Sequence, residues 1–276
     1  MQNKIIEVQA LLLFLIMLFS VDLNSQENKN RENPIKLKVA AYNVEFSDKG
    51  TAEEIGHALK PYDFDVVCFV EAPDGDWVEK VGRAMDLRYS VVGKYSTAGH
   101  KDKYKTILSR TPLSDQGEVL MSDTLHTATR ALTTIKGKKI AIYSVHFPFG
   151  WRDQAHIDET THKISTFIDY LKESPADEIP LVIGDLNFIL STKEKESPYY
   201  EMFRKLGMDA SWGDLGIDVT GLSTMVKSRT EPRPGGRVID HIIYPTDKVK
   251  AVEGQIIEMD RPLADHKPVW ALLEIK

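Results

Sequence analysis

The feature that most constrains this chain is a series of short apolar runs, several of which carry an Asn, Asp, Glu or His at or near one end. The runs are Leu37–Val44, Val66–Val70, Thr106–Leu108, Ala131–Ile135, Ile140–Val145, Leu181–Ile183, Val238–Tyr244 and Val269–Ile275. They are rich in Val, Ile and Tyr and alternate only weakly, the pattern of strands buried on both faces. Amphipathic stretches lie between some of them. Ala52–Lys60 spaces Ala52, Ile55 and Leu59 for one helix face, and His156–Lys172 does the same with Ile157, Ile164, Phe167, Ile168 and Leu171. Pro198–Leu206 is a shorter helix candidate. Several runs follow one another with no helix between, as across residues 131–146, so the sheets must be mixed. Two sheets packed face to face bury this many apolar strands. The expected fold is α/β: a four-layer α/β sandwich of two mixed β-sheets packed face to face with helices outside.

The 276 residues suit one α/β domain, and 42% hydrophobic with 28% charged residues is a globular balance. No repeat or low-complexity tract interrupts it. The beginning differs in kind. Lys4 precedes an unbroken apolar stretch from Ala10 to Phe19, and a polar run follows from Asp22 to Asn33. A short apolar core after a positive start is the pattern of a secretory signal and is short for a membrane span. Ser25 supplies a small residue at a cleavage point, whereas Glu7 dilutes the positive start and no Ala-x-Ala occurs. The expected organisation is a signal peptide over 1–25, a linker over 26–35 and the folded domain over 36–276. The expected location is secreted or periplasmic, with an uncleaved membrane anchor as the alternative. The single cysteine, Cys68, sits inside an apolar run and reads as a buried, inert thiol. A net charge of -6 argues against coating nucleic acid by bulk charge and leaves a local basic groove open.

The chemistry sits at the run ends. Leu37–Tyr42 leads to Asn43, Val66–Val70 to Glu71, and Ile140–Val145 to His146. Leu181–Gly184 leads to Asp185, with Asn187 two further on; Val238-Ile239 leads to Asp240; Asp265-His266 precedes the last run. Each has an ordinary reading by itself: a turn Asn, a surface acid, a core histidine, an Asx turn at Asp185–Asn187, a loop pair at 265–266. Together they are a set of oxygen donors and imidazoles, and carboxylates at the ends of buried strands need a partner or a cation. Such a set suits a hard divalent cation, with histidines for proton transfer and charge stabilisation.

The segments Ala41-Tyr42-Asn43-Val44, Phe69-Val70-Glu71-Ala72, Ser144-Val145-His146-Phe147, Gly184-Asp185-Leu186-Asn187, Ile239-Asp240-His241-Ile242 and Ala264-Asp265-His266-Lys267-Pro268-Val269 resemble the endonuclease/exonuclease/phosphatase superfamily. Its members include pancreatic-type deoxyribonucleases, AP endonucleases, neutral sphingomyelinases and inositol polyphosphate 5-phosphatases. The resemblance spans residues 36–276, making that segment the catalytic domain, and the motifs keep the family's order. It implies a metal-dependent hydrolase of phosphate esters. Asn43, Glu71 and Asp265 would hold Mg²⁺ or Mn²⁺. Asp185 would orient or deprotonate the attacking water, Asn187 would place the phosphate, and Asp240 would fix the tautomer of His266. His146 and His266 would stabilise the transition state. Arg130 falls where the family has a similar segment and is expected to contact substrate. Val70 stands where the family frequently has Gln, a change expected to alter packing and not chemistry.

The choice of ester is open in the sequence. Two loops are locally basic: Lys94–Lys105, with Lys94, His100, Lys101, Lys103 and Lys105, and 227–237, with Lys227, Arg229, Arg233 and Arg237. They read either as solvated loops or as walls of an anionic groove, with Lys101, Lys103, Arg229 and Arg233 as substrate contacts. Phe147, Phe149 and Trp151 follow His146 and would stack a base, meet a lipid or pack. The expected partner is a phosphoester substrate, nucleic acid among the candidates; no protein partner is evident and a monomer is expected. The alternatives are a sphingomyelinase-like lipid hydrolase, weakened by the lack of a long apolar insertion, and a non-catalytic binding protein on the same fold.

Overall fold

In the computed structural model, which describes residues 34–149, 153–190, 197–226 and 237–276, twelve strands form two six-stranded sheets. The first sheet runs, in spatial order, β11 (Val249–Ile256), β12 (Val269–Ile275), β1 (Ile35–Asn43), β2 (Val66–Ala72), β4 (Tyr104–Ser109) and β3 (Tyr89–Val92). The second runs β5 (Ser114–Leu120), β6 (Thr127–Ile135), β7 (Lys138–His146), β8 (Glu178–Asp185), β10 (Asp240–Pro245) and β9 (Met208–Ala210). Each sheet has one parallel pair near its centre, β1–β2 and β7–β8, and antiparallel pairs elsewhere. The mixed α/β sandwich expected from the sequence is the one found.

Alternation along the strands makes the layers. On β1, Val39 and Ala41 join Cys68, Ile107, Ile142 and Ile183 in one core cluster. Ala40 and Tyr42 join Val67, Phe69 and Trp270 in another, against α1 (Ala52–Leu59) and α2 (Trp77–Met85). The second sheet is covered by α3 (Gln154–Lys172), which buries Ile164, Phe167, Ile168 and Leu171, and by α4 (Pro198–Lys205), which buries Tyr200 and Phe203. A short α5 (Ser211–Asp214) follows β9. Local signals set the helix starts. Thr51 and Glu54 make a reciprocal capping box on α1, and Asp153 accepts the His156 amide at 2.9 Å on α3.

All eight apolar runs are strands, and the three amphipathic stretches are helices within two residues of the expected bounds. The elements the reading missed lie at the edges or are short. β5 carries Ser114, Asp115, Gln116 and Gly117 exposed, and an edge strand facing water lacks the apolar signature. Cys68 is fully buried, and burial pushes its thiol pKa up. Among the described residues no helix is long and apolar enough to cross a membrane; the signal-peptide segment 1–25 and most of the linker lie outside them.

Topology brings the polar strand ends to one edge. Parallel pairing sets the C-terminal ends of β1 and β2 side by side, and those of β7 and β8, with His146 opposite Asp185. Antiparallel β10 begins where β8 ends, with Asp240 opposite Asp185, and antiparallel β12 begins beside the end of β1. Gly184 makes the β7–β8 approach possible. Its φ is +150°, and a Cβ there would lie 2.0 Å from the Val145 carbonyl oxygen. Gly184→Ala is expected to cost more than about 2 kcal/mol, read as a lower urea midpoint; a midpoint within error of wild type would contradict the close approach.

Candidate active site

Asp185 is the residue on which the site converges. It ends β8 at 1% exposure, and its two oxygens have different partners. Oδ1 accepts the Asn187 backbone amide at 2.9 Å. Asn187 is left-handed (φ 53°) and sends its own Nδ2 to the Phe147 carbonyl at 2.8 Å. The Asx turn that was the ordinary reading of this segment is therefore present, and it aims Oδ2 at the opposite sheet. There Asn43, at the end of β1, donates from Nδ2 at 3.1 Å, and its Oδ1 accepts the Glu45 amide at 3.1 Å.

Glu71 arrives through an irregularity in β2. Pairing with β4 passes from Phe69–Thr106 to Ala72–Tyr104, which inserts an extra residue on β2, and Glu71 sits there at φ 52°. A non-glycine residue in that region is uncommon, and bulges re-aim side chains beside active sites. Its Oε1 lies 3.5 Å from Asn43 Nδ2, and its Oε2 meets the Lys103 ammonium at 2.9 Å.

Two imidazoles complete the cluster. His146 Nε2 lies 3.7 Å from both Glu71 Oε1 and Asp185 Oδ2. His266 Nε2 lies 3.7 Å from Asp185 Oδ2, and its Nδ1 lies 2.9 Å from Asp240 Oδ2. Their environments push them apart. Burial drives the His146 pKa down to about 4; Asp185 opposes this, and Lys105, Lys103 and His266 add to it. Burial also opposes charge on His266, but the carboxylates of Asp240, Asp185 and Asp265 outweigh it and raise the pKa to about 10. Asp185 itself is raised by burial and by Asp240. Near neutral pH one imidazole is neutral and the other cationic, which separates proton acceptor from proton donor.

The donors suit a hard divalent cation: oxygens of Glu71, Asp185, Asp240 and half-buried Asp265, with no thiolate. Asp240 Oδ1 is buried without a hydrogen-bond partner, and burial and the Asp240 carboxylate raise the Asp185 pKa, so a cation would relieve both costs. Asp185, Asp240 and His266 offer ligand atoms within 4.8 Å of one another, a grouping different from the expected Asn43, Glu71 and Asp265. His266 Nδ1 and Asp240 Oδ2 are already joined, and Asp185 Oδ2 and Glu71 Oε2 have donors at 3.1 and 2.9 Å, so among these acids Asp240 Oδ1 is the buried oxygen without a partner. As oriented, Asn43 presents nitrogen to the acids, and ligation through its oxygen would require the amide to rotate.

The remaining expected residues separate. Arg130 is not in the site, which corrects the expectation for it. It stands opposite Tyr143 on the α3 side of the second sheet, and its guanidinium is taken by Glu178 at 2.7 Å and Asp115 at 2.5 Å. Lys103 reaches the site, and Lys101 stands exposed. Lys105 is no loop cation: it is fully buried on β4 and donates to the Tyr95 carbonyl at 2.9 Å. Arg229, Arg233 and Trp151 lie outside the described residues. Phe147 packs against Phe167, Phe188 and Phe203, while Phe149 is exposed with its ring edge-on to His156. Val70 is fully buried. Sequence reading missed the Lys103–Glu71 pair, for which no local pattern gives a signal.

The sequence model of the "Endonuclease/Exonuclease/phosphatase family" matches residues 40–266. No curated protein matches the chain. Among solved structures, an endonuclease/exonuclease/phosphatase from Beutenbergia cavernae DSM 12333 is 16% identical, with a TM-score of 0.69 over 87% of this chain and 72% of that one. One from Bacteroides vulgatus is 16% identical, with a TM-score of 0.67 over 88% and 100%. D. rerio TDP2 complexed with single strand DNA product is 17% identical, with a TM-score of 0.66 over 87% and 99%.

A third histidine supports the site from behind. Trp212 Nε1 donates to His241 Nδ1 at 3.2 Å, so Nε2 carries the proton and donates to the Phe188 carbonyl at 3.0 Å. Burial lowers its pKa to about 4, against the carbonyls of Phe188 and Val238. The unfolded chain takes up this proton near pH 6.5 and the native state refuses it until about 4. The stability tied to neutral His241 is therefore present above 6.5 and lost as pH falls through that window. Urea midpoints from pH 7 to 4 should fall less steeply in His241→Gln than in wild type; parallel curves would remove His241 as a contributor.

Proposed function

The chain belongs to the endonuclease/exonuclease/phosphatase family, whose members are metal-dependent hydrolases of phosphate esters, and from that premise we propose that it is an exported, Mg²⁺- or Mn²⁺-dependent phosphoesterase. Its substrate on this reading is a phosphodiester or phosphomonoester of a nucleic acid, nucleotide or other small phosphoester. The observation that carries the reading is the meeting at Asp185 Oδ2 of Asn43 at 3.1 Å and of two imidazoles at 3.7 Å each. The likeness to TDP2 complexed with single strand DNA product makes nucleic acid the first substrate class to test. Export rests on the apolar stretch from Ala10 to Phe19 behind Lys4.

Glu71 and Asp265 would hold the cation, with Asn43 after rotation of its amide. When bound, the cation polarises the phosphoryl oxygens and lowers the pKa of water. The residues divide the remaining work. Asp185, raised by burial and by Asp240, suits proton uptake from the attacking water. Cationic His266, held by Asp240, faces the same carboxylate through Nε2 and is placed to neutralise phosphoryl charge or protonate the leaving oxygen. Neutral His146 offers an N–H or a lone pair beside Glu71 and Asp185. Asn187 and Lys103 stand at the flanks, for the phosphate and for a longer anionic substrate.

The test is a panel of bis-p-nitrophenyl phosphate, single-stranded and plasmid DNA, sphingomyelin and inositol phosphates, each with Mg²⁺, with Mn²⁺ and with excess EDTA. Activity is expected only with metal, and full activity in EDTA on metal-free protein would sink the proposal. His266→Ala is expected to lower kcat by about 10²–10⁴. Asp240→Asn is expected to lose less: it withdraws the carboxylate that holds the imidazole cationic and oriented; an Asp240→Asn enzyme with wild-type kcat would dissolve the proposed role of that pair.

A further inference from the structure

The ammonium of Lys103 lies 2.9 Å from Glu71 Oε2, and the two side chains are only 17% and 13% exposed. This is no loose surface pair. Lys103 opens into β4 through Tyr104, whose register partner is Ala72, the residue after Glu71. Its backbone is held on both sides: its N–H donates to Ser96 Oγ at 3.1 Å, and its carbonyl accepts the Thr97 amide at 3.0 Å. Its Nζ also stands over the Phe46 ring, 4.3 Å from the centroid. The lysine is thus built to bring a positive charge to Glu71 from the neighbouring strand. Glu71 is in turn turned toward it by the bulge that sets its φ at 52°.

Glu71 is also one of the carboxylates proposed to hold the divalent cation. A carboxylate oxygen that bonds an ammonium at 2.9 Å does not offer the same lone pair to a metal, and two cations on one carboxylate repel. We infer that Lys103 is a built-in competitor for the divalent cation: it neutralises Glu71 before the cation binds, and the cation takes its place on Oε2. The inference rests on the metal-dependent reading above and adds a prior occupant of the site. Its consequence is physical. The unbound site does not carry the full repulsion of its acids, and the ion pair lowers the apparent metal affinity by the free energy of breaking it.

The test is calorimetric titration of Mn²⁺ into metal-stripped full-length protein, so it does not depend on turnover. Lys103→Met and Lys103→Gln are expected to bind Mn²⁺ about tenfold tighter than wild type, within the usual range for coupling between two ligands. Lys103→Arg, which keeps a cation on Glu71, is expected to stay near wild type. Lys101→Met removes the same charge from the same loop and is expected to change affinity less than about twofold, as exposed charges are screened. Equal gains in the Lys101 and Lys103 variants would reduce the effect to net charge and overturn the inference. Unchanged or weaker binding by both Lys103→Met and Lys103→Gln would overturn it too, and leave the metal reading standing. Absence of Mn²⁺ binding by wild type and every variant would overturn both.

Discussion

Asp185 is a buried carboxylate facing a second one, Asp240, across a strand pair, and the rest of the site is arranged around that electrostatic cost. Desolvation of one carboxylate costs several kcal/mol, about, unless partners or a pKa shift offset it. Here the offset comes from both sheets. The first sheet sends the Asn43 amide; the second sends His146, and the segment before β12 sends His266. Without the sandwich these groups belong to distant parts of the chain, separated by 142 positions in the case of Asn43 and Asp185. The fold therefore contributes to the chemistry chiefly by assembling charges that would not otherwise be brought together in low dielectric.

The two imidazoles bear the same burial cost and still differ. Both are buried, so desolvation acts on each in the same direction. What separates them is the balance of neighbours. His266 is surrounded by the carboxylates of Asp240, Asp185 and Asp265, whereas His146 has the ammonium groups of Lys103 and Lys105 within its field as well as Asp185. A histidine's protonation state is thus set by which strand ends surround it, and strand order determines that.

This distinction marks where the amino-acid sequence was informative. Asn43, Glu71, His146, Asp185 and Asp240 were legible because each interrupts or ends an apolar run, and His266 because it stands just before one; a polar group there demands a reason. The strands of both sheet centres were legible for the same reason, since doubly buried strands leave an apolar run. The polar edge strand β5 leaves none. Arg130 misled because a motif position says nothing of which face of β6 a side chain leaves. Pairing with Tyr143 sends it to the helix side, where Glu178 and Asp115 satisfy it. Lys103 and Lys105 look alike in the sequence, two cations in one basic stretch. Lys105 lies within β4, where it is buried and donates to the Tyr95 carbonyl, whereas Lys103 precedes the strand and reaches Glu71.

Two residues of the site, Glu71 and Asn187, hold left-handed backbone conformations, which cost about 1–3 kcal/mol each for non-glycine residues. Asn187 sits two positions past the last pairing of β8, and Glu71 sits in the bulge of β2 between its pairings at Phe69 and Ala72, where the ladder does not dictate the conformation. In each case the strain is offset by bonds made from that position. Asn187 closes on Asp185 through its amide and on Phe147 through its side chain, and Glu71 gains Lys103 and lies against Asn43 and His146. Extended backbone at either point would continue the sheet and turn the side chain by one pleat, away from Asp185. The departures from regular strand are therefore what convert a sheet edge into a concave set of carboxylates and imidazoles, and the regular strands behind them supply the rigidity that holds the strained turns in place.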